Sequence, residues 1–169
     1  TQCGMFAATK VLRRHGVTFS YIYNCETEGE EFRSGYENFL RVAAILKDLK
    51  GLRIAKIGER PTSFMSVMTN EADLIKRLGI TTVPISPFQI AEAAKKLIAE
   101  NEAEYSRYYD DLAGRFDCSQ VPEEDVRKVA AAKVALERLM KEQDCSVGAF
   151  ECWSAFPSVL GVCPCAMLG

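Results

Sequence analysis

Histidine and tryptophan each occur once in this 169-residue sequence, as His15 and Trp153. A single histidine leaves no second group for a Ser-His-Asp or Cys-His catalytic set within the chain. His15 follows Arg13-Arg14 and precedes Gly16, a place where a cation favours a helix C-terminus. Charge of one sign is also scarce: 21 Lys and Arg against 23 Asp and Glu give a formal net charge of −2. Such a balance supplies no electrostatic footprint for a phosphate backbone, so no nucleic-acid partner is expected. No apolar run reaches the length of a membrane span and no charged-then-apolar leader stands before a cleavage site, so no membrane partner is expected either. The loops lack a glycine-rich dinucleotide fingerprint and a Walker lysine, which disfavours NAD and ATP.

What is present is a chain able to build a core. Hydrophobic residues make up 48% of it, enough for one ordinary domain without disulfide staples. The seven cysteines are odd in number and irregular in spacing. They read as small apolar residues kept reduced, and a cytoplasmic location is expected.

Strand-like apolar runs alternate with helical periods in the order α-β-α-β-α-β-α-α-β-α. This is the pattern of βαβ units around a parallel sheet. The expected fold class is α/β: one domain over residues 1–169, a three-layer sandwich with a mostly parallel, flavodoxin- or Rossmann-like sheet. Met5, Ala8 and Leu12 share a helical face that Gly16 terminates. Thr18–Tyr23 alternates as a strand does, and the acidic stretch from Glu26 opens the next helix. Leu52–Ile57 is the clearest strand and is placed near the sheet centre. Asn70 caps a helix that ends at Gly79, and Ile80–Ile85 is the next strand. Ser86-Pro87-Phe88-Gln89 has the residues of a capping box with proline at the first helical position. Residues 101–120 read as a helix end followed by loop. Pro122 and three acids open a long helix, and Val147–Trp153 is a further strand.

Open parallel sheets bind ligands beyond the carboxyl ends of their strands. Three candidate residues lie there. Arg60, in the turn-rich loop Gly58-Glu59-Arg60-Pro61-Thr62-Ser63, could hold a carboxylate, a phosphate or a sugar hydroxyl, or be solvated in a tight turn. Glu151 and Trp153 end the last strand. An acid and an indole suit a sugar, through hydroxyl hydrogen bonds and apolar contact with a ring face, or they form an edge carboxylate and a core ring. Cys163-Pro164-Cys165 has the wrong spacing for a thioredoxin-type pair and lacks further zinc ligands, so packing is the expected role. Tyr105, Tyr108 and Tyr109 have no interleaved basic patch and read as packing residues.

Thr1-Gln2-Cys3-Gly4 before a helix, Gly58-Glu59-Arg60-Pro61 after the central strand, and Glu151-Cys152-Trp153 followed by Cys163-Pro164-Cys165 together resemble the L-fucose/L-arabinose isomerase family, nearest to its fucose-isomerase-like branch. The resemblance covers essentially the whole chain, from the end of the family's first domain through its second. It implies an aldose–ketose isomerase working through an enediol, with a general base and a divalent metal, commonly Mn2+, held by carboxylates and a histidine. It implies an aldose or ketose monosaccharide as partner and a homo-oligomeric parent. Glu151 and Trp153 match the family position that lines the sugar site, and Arg60 lies in the loop after the second domain's first strand. The family's metal ligands and catalytic residues fall beyond these residues, so no catalytic or metal residue is expected in this chain. Its start at Thr1 without methionine and its apolar last run lead to the expectation of a middle-domain fragment, inactive alone. Residues 101–120 and 162–169 are then expected to expose apolar surface or to become ordered through neighbouring chains. The alternative is a non-catalytic flavodoxin-like module that binds a sugar or nucleotide.

Overall fold

The structure, a computed structural model, describes residues 2–168; Thr1 and Gly169, which bound the first motif and the last apolar run, lie outside the described residues. The chain divides into two compact units, one ending at Lys50 and the other beginning at Gly51.

The second unit is built on a three-stranded, wholly parallel sheet in the order β2-β1-β3, formed by β1 (Arg53–Ile57), β2 (Thr81–Ile85) and β3 (Val147–Phe150). The expected α/β class and the central place of the first apolar strand are thus both observed. Alternation decides the faces: Ala55 and Ile57 of β1 and Val83 and Ile85 of β2 are buried, whereas Ile54, Lys56, Thr82 and Pro84 are not. The buried face joins one core with Ile90, Ala91, Ala94 and Leu97 of α4 (Pro87–Glu100) and Ala130, Ala131 and Val134 of α6 (Glu123–Glu142). The other face carries α3 (Glu71–Leu78), none of whose residues is buried, so that layer is thin. Glu71 reaches Lys56 there at 3.5 Å.

Local signals explain the helix ends. Asn70 accepts the Asp73 N–H at 3.3 Å, and Gly79 closes α3 in the left-handed region at φ 71°. At α4 the capping box is complete: Ser86 Oγ accepts from the Phe88 N–H, and Gln89 Oε1 accepts from the Ser86 N–H at 3.1 Å. β2 is an edge strand and contains Pro84, opposite Lys56 in the ladder. The Thr81 N–H turns inward to the Leu52 carbonyl at 2.9 Å, so by strand alternation the Pro84 nitrogen points outward and costs the sheet no bond.

Residues 101–120 differ from expectation. They hold a regular helix, α5 (Glu102–Arg115), which buries Tyr105 and Leu112 seven residues apart. That spacing is two helical turns, but the polar residues between mask the stripe. Salt bridges join α5 to α6: Arg127 with Glu102, and Arg138 with Glu104. The last residues pack as well. α7 (Ala155–Leu160) buries Phe156 and Leu160, and the 3-10 turn Pro164–Met167 buries Pro164 and Met167. Of the apolar side chains in these two stretches, Phe116 and Leu168 are exposed as expected, while Tyr105, Leu112, Val162 and Met167 are buried within the chain.

The first unit has α1 (Gln2–Arg14) and α2 (Glu30–Leu49), with no buried residue in either. α2 begins four residues later than the first acid, at Glu30 after the Gly29 cap position. Thr18–Tyr23, expected as a strand, joins no ladder among the described residues. Alternation defines a face, yet a strand needs a neighbour, and no described backbone segment hydrogen-bonds to residues 18–23. Ile22 instead meets α2 at Gly35, where a Cβ would lie 3.0 Å from Ile22 Cγ1. Tyr36, Phe39, Leu40, Ile45 and Leu46 remain exposed along α2.

Candidate functional site

The order β2-β1-β3 reverses direction at β1: one crossover runs to one side of that strand and the next returns to the other. In flavodoxin-like sheets the ligand crevice opens at this switch, outside the carboxyl ends of β1 and β3. The two loops that meet here follow Ile57 and Phe150, and they carry all three candidate residues.

Gly58 sets the geometry of the first loop. It sits at φ 80°, and a Cβ on it would approach Glu151 Cβ to 2.9 Å and Pro87 Cγ to 3.3 Å. Only glycine allows both the left-handed backbone and this closeness. Its N–H donates to the Ile85 carbonyl at 3.2 Å, and the Glu151 N–H donates to the Ile57 carbonyl at 2.8 Å, so the three strand ends are stitched together. Beyond it, Arg60 folds back on its own loop: Nη1 donates to the Pro61 carbonyl at 2.9 Å and to the Thr62 carbonyl at 3.0 Å. The Phe64 N–H also donates to the Pro61 carbonyl, at 2.9 Å. Phe64 is thereby set edge-on to Trp153, with ring centroids 4.8 Å apart and planes at 71°. Trp153 remains 69% exposed.

Glu151 faces the other way. Its side chain is buried, with Oε1 accepting the N–H groups of Trp153 and Ser154, both at 2.9 Å, and the Ser154 hydroxyl at 3.2 Å; Oε2 accepts the Ala155 N–H at 3.0 Å. Burial pushes the carboxyl up, but the donors of Ser154, Ala155 and Trp153 outweigh it and hold the group below its ordinary range. The carboxylate thus serves as a cap for the first turn of α7. The strand expected to run to Trp153 stops at Phe150, and a turn over residues 152–154 follows. Residues two apart on a strand would share a face, and this turn is what lets the Glu151 side chain face inward while the Trp153 ring lies at the surface.

The remaining chemistry-bearing residues lie apart from this pair. Lys56 is matched by Glu59 at 3.3 Å and Glu71 at 3.5 Å. Cys152 is raised above the usual thiol range by burial and by the neighbouring Cys165 thiol, while Cys163 and Cys165 are exposed. His15 stands in the turn after α1, in the first unit. Among the described residues no group of three or more His, Cys, Asp or Glu side chains is arranged to hold a metal ion. With Glu151 committed to amides, the residues here do not fit the Mn2+ that the family resemblance implies. Phe64 was not singled out from the sequence. Its only signal is a large apolar residue in a loop otherwise rich in turn formers.

A parallel α/β sheet whose β1 and β3 loops meet at its switch point defines the class of structure, and comparisons with known proteins narrow it. Residues 1–50 match the family model of the fucose/sulfoquinovose isomerase N-terminal domain. The chain is 26% identical to sulfoquinovose isomerases of Priestia aryabhattai and Priestia megaterium over 165 residues, 96% of this chain and 35% of theirs. It is 25% identical to the sulfoquinovose isomerase of Alkalicoccus urumqiensis over 166 residues, 96% of this chain and 36% of that protein. The resemblance to fucose-isomerase-like enzymes is borne out along nearly the whole chain, which spans about a third of the length of these curated relatives. The family model ends at the residue where the first compact unit ends.

Proposed function

We propose that this chain is part of an aldose–ketose isomerase and that its share is to line the monosaccharide pocket. The observation that carries the reading is the similarity over 96% of the chain to proteins named sulfoquinovose isomerase. The aromatic pair Phe64–Trp153 at the strand ends supports it, since an exposed indole offers a sugar ring an apolar wall where parallel sheets take ligands. On this reading the substrate class is a monosaccharide, with sulfonated hexoses of the relatives' kind as first candidates. The whole protein works in the cytoplasm as a homo-oligomer.

Isomerisation moves a hydrogen between C1 and C2 and requires a base at the enediol. Glu151 is held as an ionised cap on four donors and is a poor choice for that base. The base, and any Mn2+ the reaction uses, then belong to residues beyond those described here, and the chain alone is inactive. No described helix is long and apolar enough to cross a membrane.

The test is an aldose–ketose conversion assay with sulfoquinovose, L-fucose and glucose, with and without Mn2+. It is run on this chain and on a protein that carries it within a length like that of the relatives. Conversion by the longer protein alone supports the reading. Conversion by the isolated chain, or by neither, overturns it.

A further inference from the structure

Resting on that reading, we infer that Arg60 is the residue that selects a sulfonated sugar, by receiving its anionic group at the β1 end of the crevice. Three observations lead there. The guanidinium is fixed before any ligand arrives, because Nη1 gives hydrogens to the Pro61 and Thr62 carbonyls at 2.9 and 3.0 Å. A guanidinium has five N–H donors, so this anchoring commits one nitrogen and leaves the Nε and Nη2 edge to meet two oxygens of a tetrahedral anion side by side. The charge is also unmatched. Lys56, on the same strand-to-loop passage, is bracketed by Glu59 and Glu71, whereas among the described residues Arg60 forms no ion pair. A half-buried cation without a counter-ion, already oriented by its own loop, has little ordering left to lose when an anion binds.

The loop supplies the third observation. The Pro61 carbonyl that holds Arg60 also accepts the Phe64 N–H, and Phe64 is the ring that meets Trp153. One carbonyl therefore ties the cationic end of the loop to the aromatic wall. A ligand that combines an apolar ring face with a negative group satisfies both ends, and a neutral hexose satisfies one. A lysine could supply the charge but neither the double anchor to the loop nor the two-donor edge.

Trp153 is the only tryptophan in the sequence, so its fluorescence reports on this crevice alone. The experiment titrates the full chain, as wild type, Arg60→Gln and Arg60→Lys, with a sulfonated hexose and with glucose. Thermal melts confirm that the variants fold. The expected result is saturable change with the sulfonated hexose at least tenfold tighter than with glucose. Arg60→Gln should abolish that preference while leaving the glucose response, and Arg60→Lys should fall between. Equal response to both sugars in the wild type, or a preference unchanged in Arg60→Gln, overturns the role of Arg60 and leaves the sugar crevice standing. No response to either sugar overturns the crevice and this inference together. If Arg60→Gln fails to fold, the wild-type preference is measured again at rising salt. A preference that salt erases supports the charge role, and one indifferent to salt overturns it.

Discussion

Gly58 and Glu151 touch across the ends of two neighbouring strands so closely that a Cβ on the first would sit 2.9 Å from the Cβ of the second. Gly58→Ala therefore combines an unfavourable left-handed backbone with a backbone-side clash. A loss of about 2–4 kcal/mol is expected in urea unfolding. Gly51→Ala is the control: its φ is 86° but nothing lies within 4 Å of the added carbon, so only the backbone cost of about 1 kcal/mol should appear. Equal losses at the two positions would show that the closeness at Gly58 is relieved cheaply.

Glu151→Ala removes the acceptor for three backbone N–H groups and one hydroxyl at the start of α7. The expected cost is about 2–3 kcal/mol, as for charge-assisted bonds that leave donors unpaired. Glu151→Gln should retain part of the geometry and lose less.

The same carboxylate makes stability depend on acid. Its folded pKa lies below its ordinary value, so its contribution is fully present above the unfolded carboxylate pKa. It is lost as pH falls through the lower, folded value. Thermal melts across the acid range should show wild type losing more stability than Glu151→Gln as pH drops below the carboxylate range. Parallel curves would mean that other carboxylates dominate.

Thiol chemistry separates the cysteines. Cys3, Cys163 and Cys165 are exposed, Cys145 is buried, and Cys152 is shifted up by burial and by Cys165. Iodoacetamide at neutral pH, followed by mass spectrometry, should label the three exposed residues first and Cys145 last, with Cys152 slower than Cys165.

Hydrogen exchange should divide the chain as its two units do. Amides of β1 lie between two strands, whereas residues 18–23 meet no backbone acceptor among the described residues. Near-unprotected exchange is expected for residues 18–23 and strong protection for Ala55 and Ile57.

Much of this fold was legible because local chemistry and burial agree. Leu52–Ile57 and Ile80–Ile85 are short apolar runs bounded by glycine, and Asn70, Gly79 and Ser86-Pro87-Phe88-Gln89 act as their residue types dictate. α5 was hidden because its fully buried residues, Tyr105 and Leu112, stand seven apart and its other core contacts, Tyr108 and Tyr109, are only half-buried among charged neighbours, a pattern that periodicity registers weakly. The strand expected at Thr18–Tyr23 failed for the opposite reason, since alternation reports a face and says nothing of a neighbour. At the crevice, the carboxyl-end rule located Arg60, Glu151 and Trp153. The inward turn of Glu151 and the link from Arg60 through Pro61 to Phe64 depend on backbone geometry that no motif encodes.

Pro84 carries a consequence for assembly. Its outward-facing nitrogen removes one donor from the free side of β2, on the sheet's outer border. Another strand arriving there would find a gap in the row of bonds it needs, so accretion of copies along that border is discouraged. β3 carries no proline, so the sheet is biased as a template: a further strand finds an unbroken row of donors and acceptors only next to Val147–Phe150.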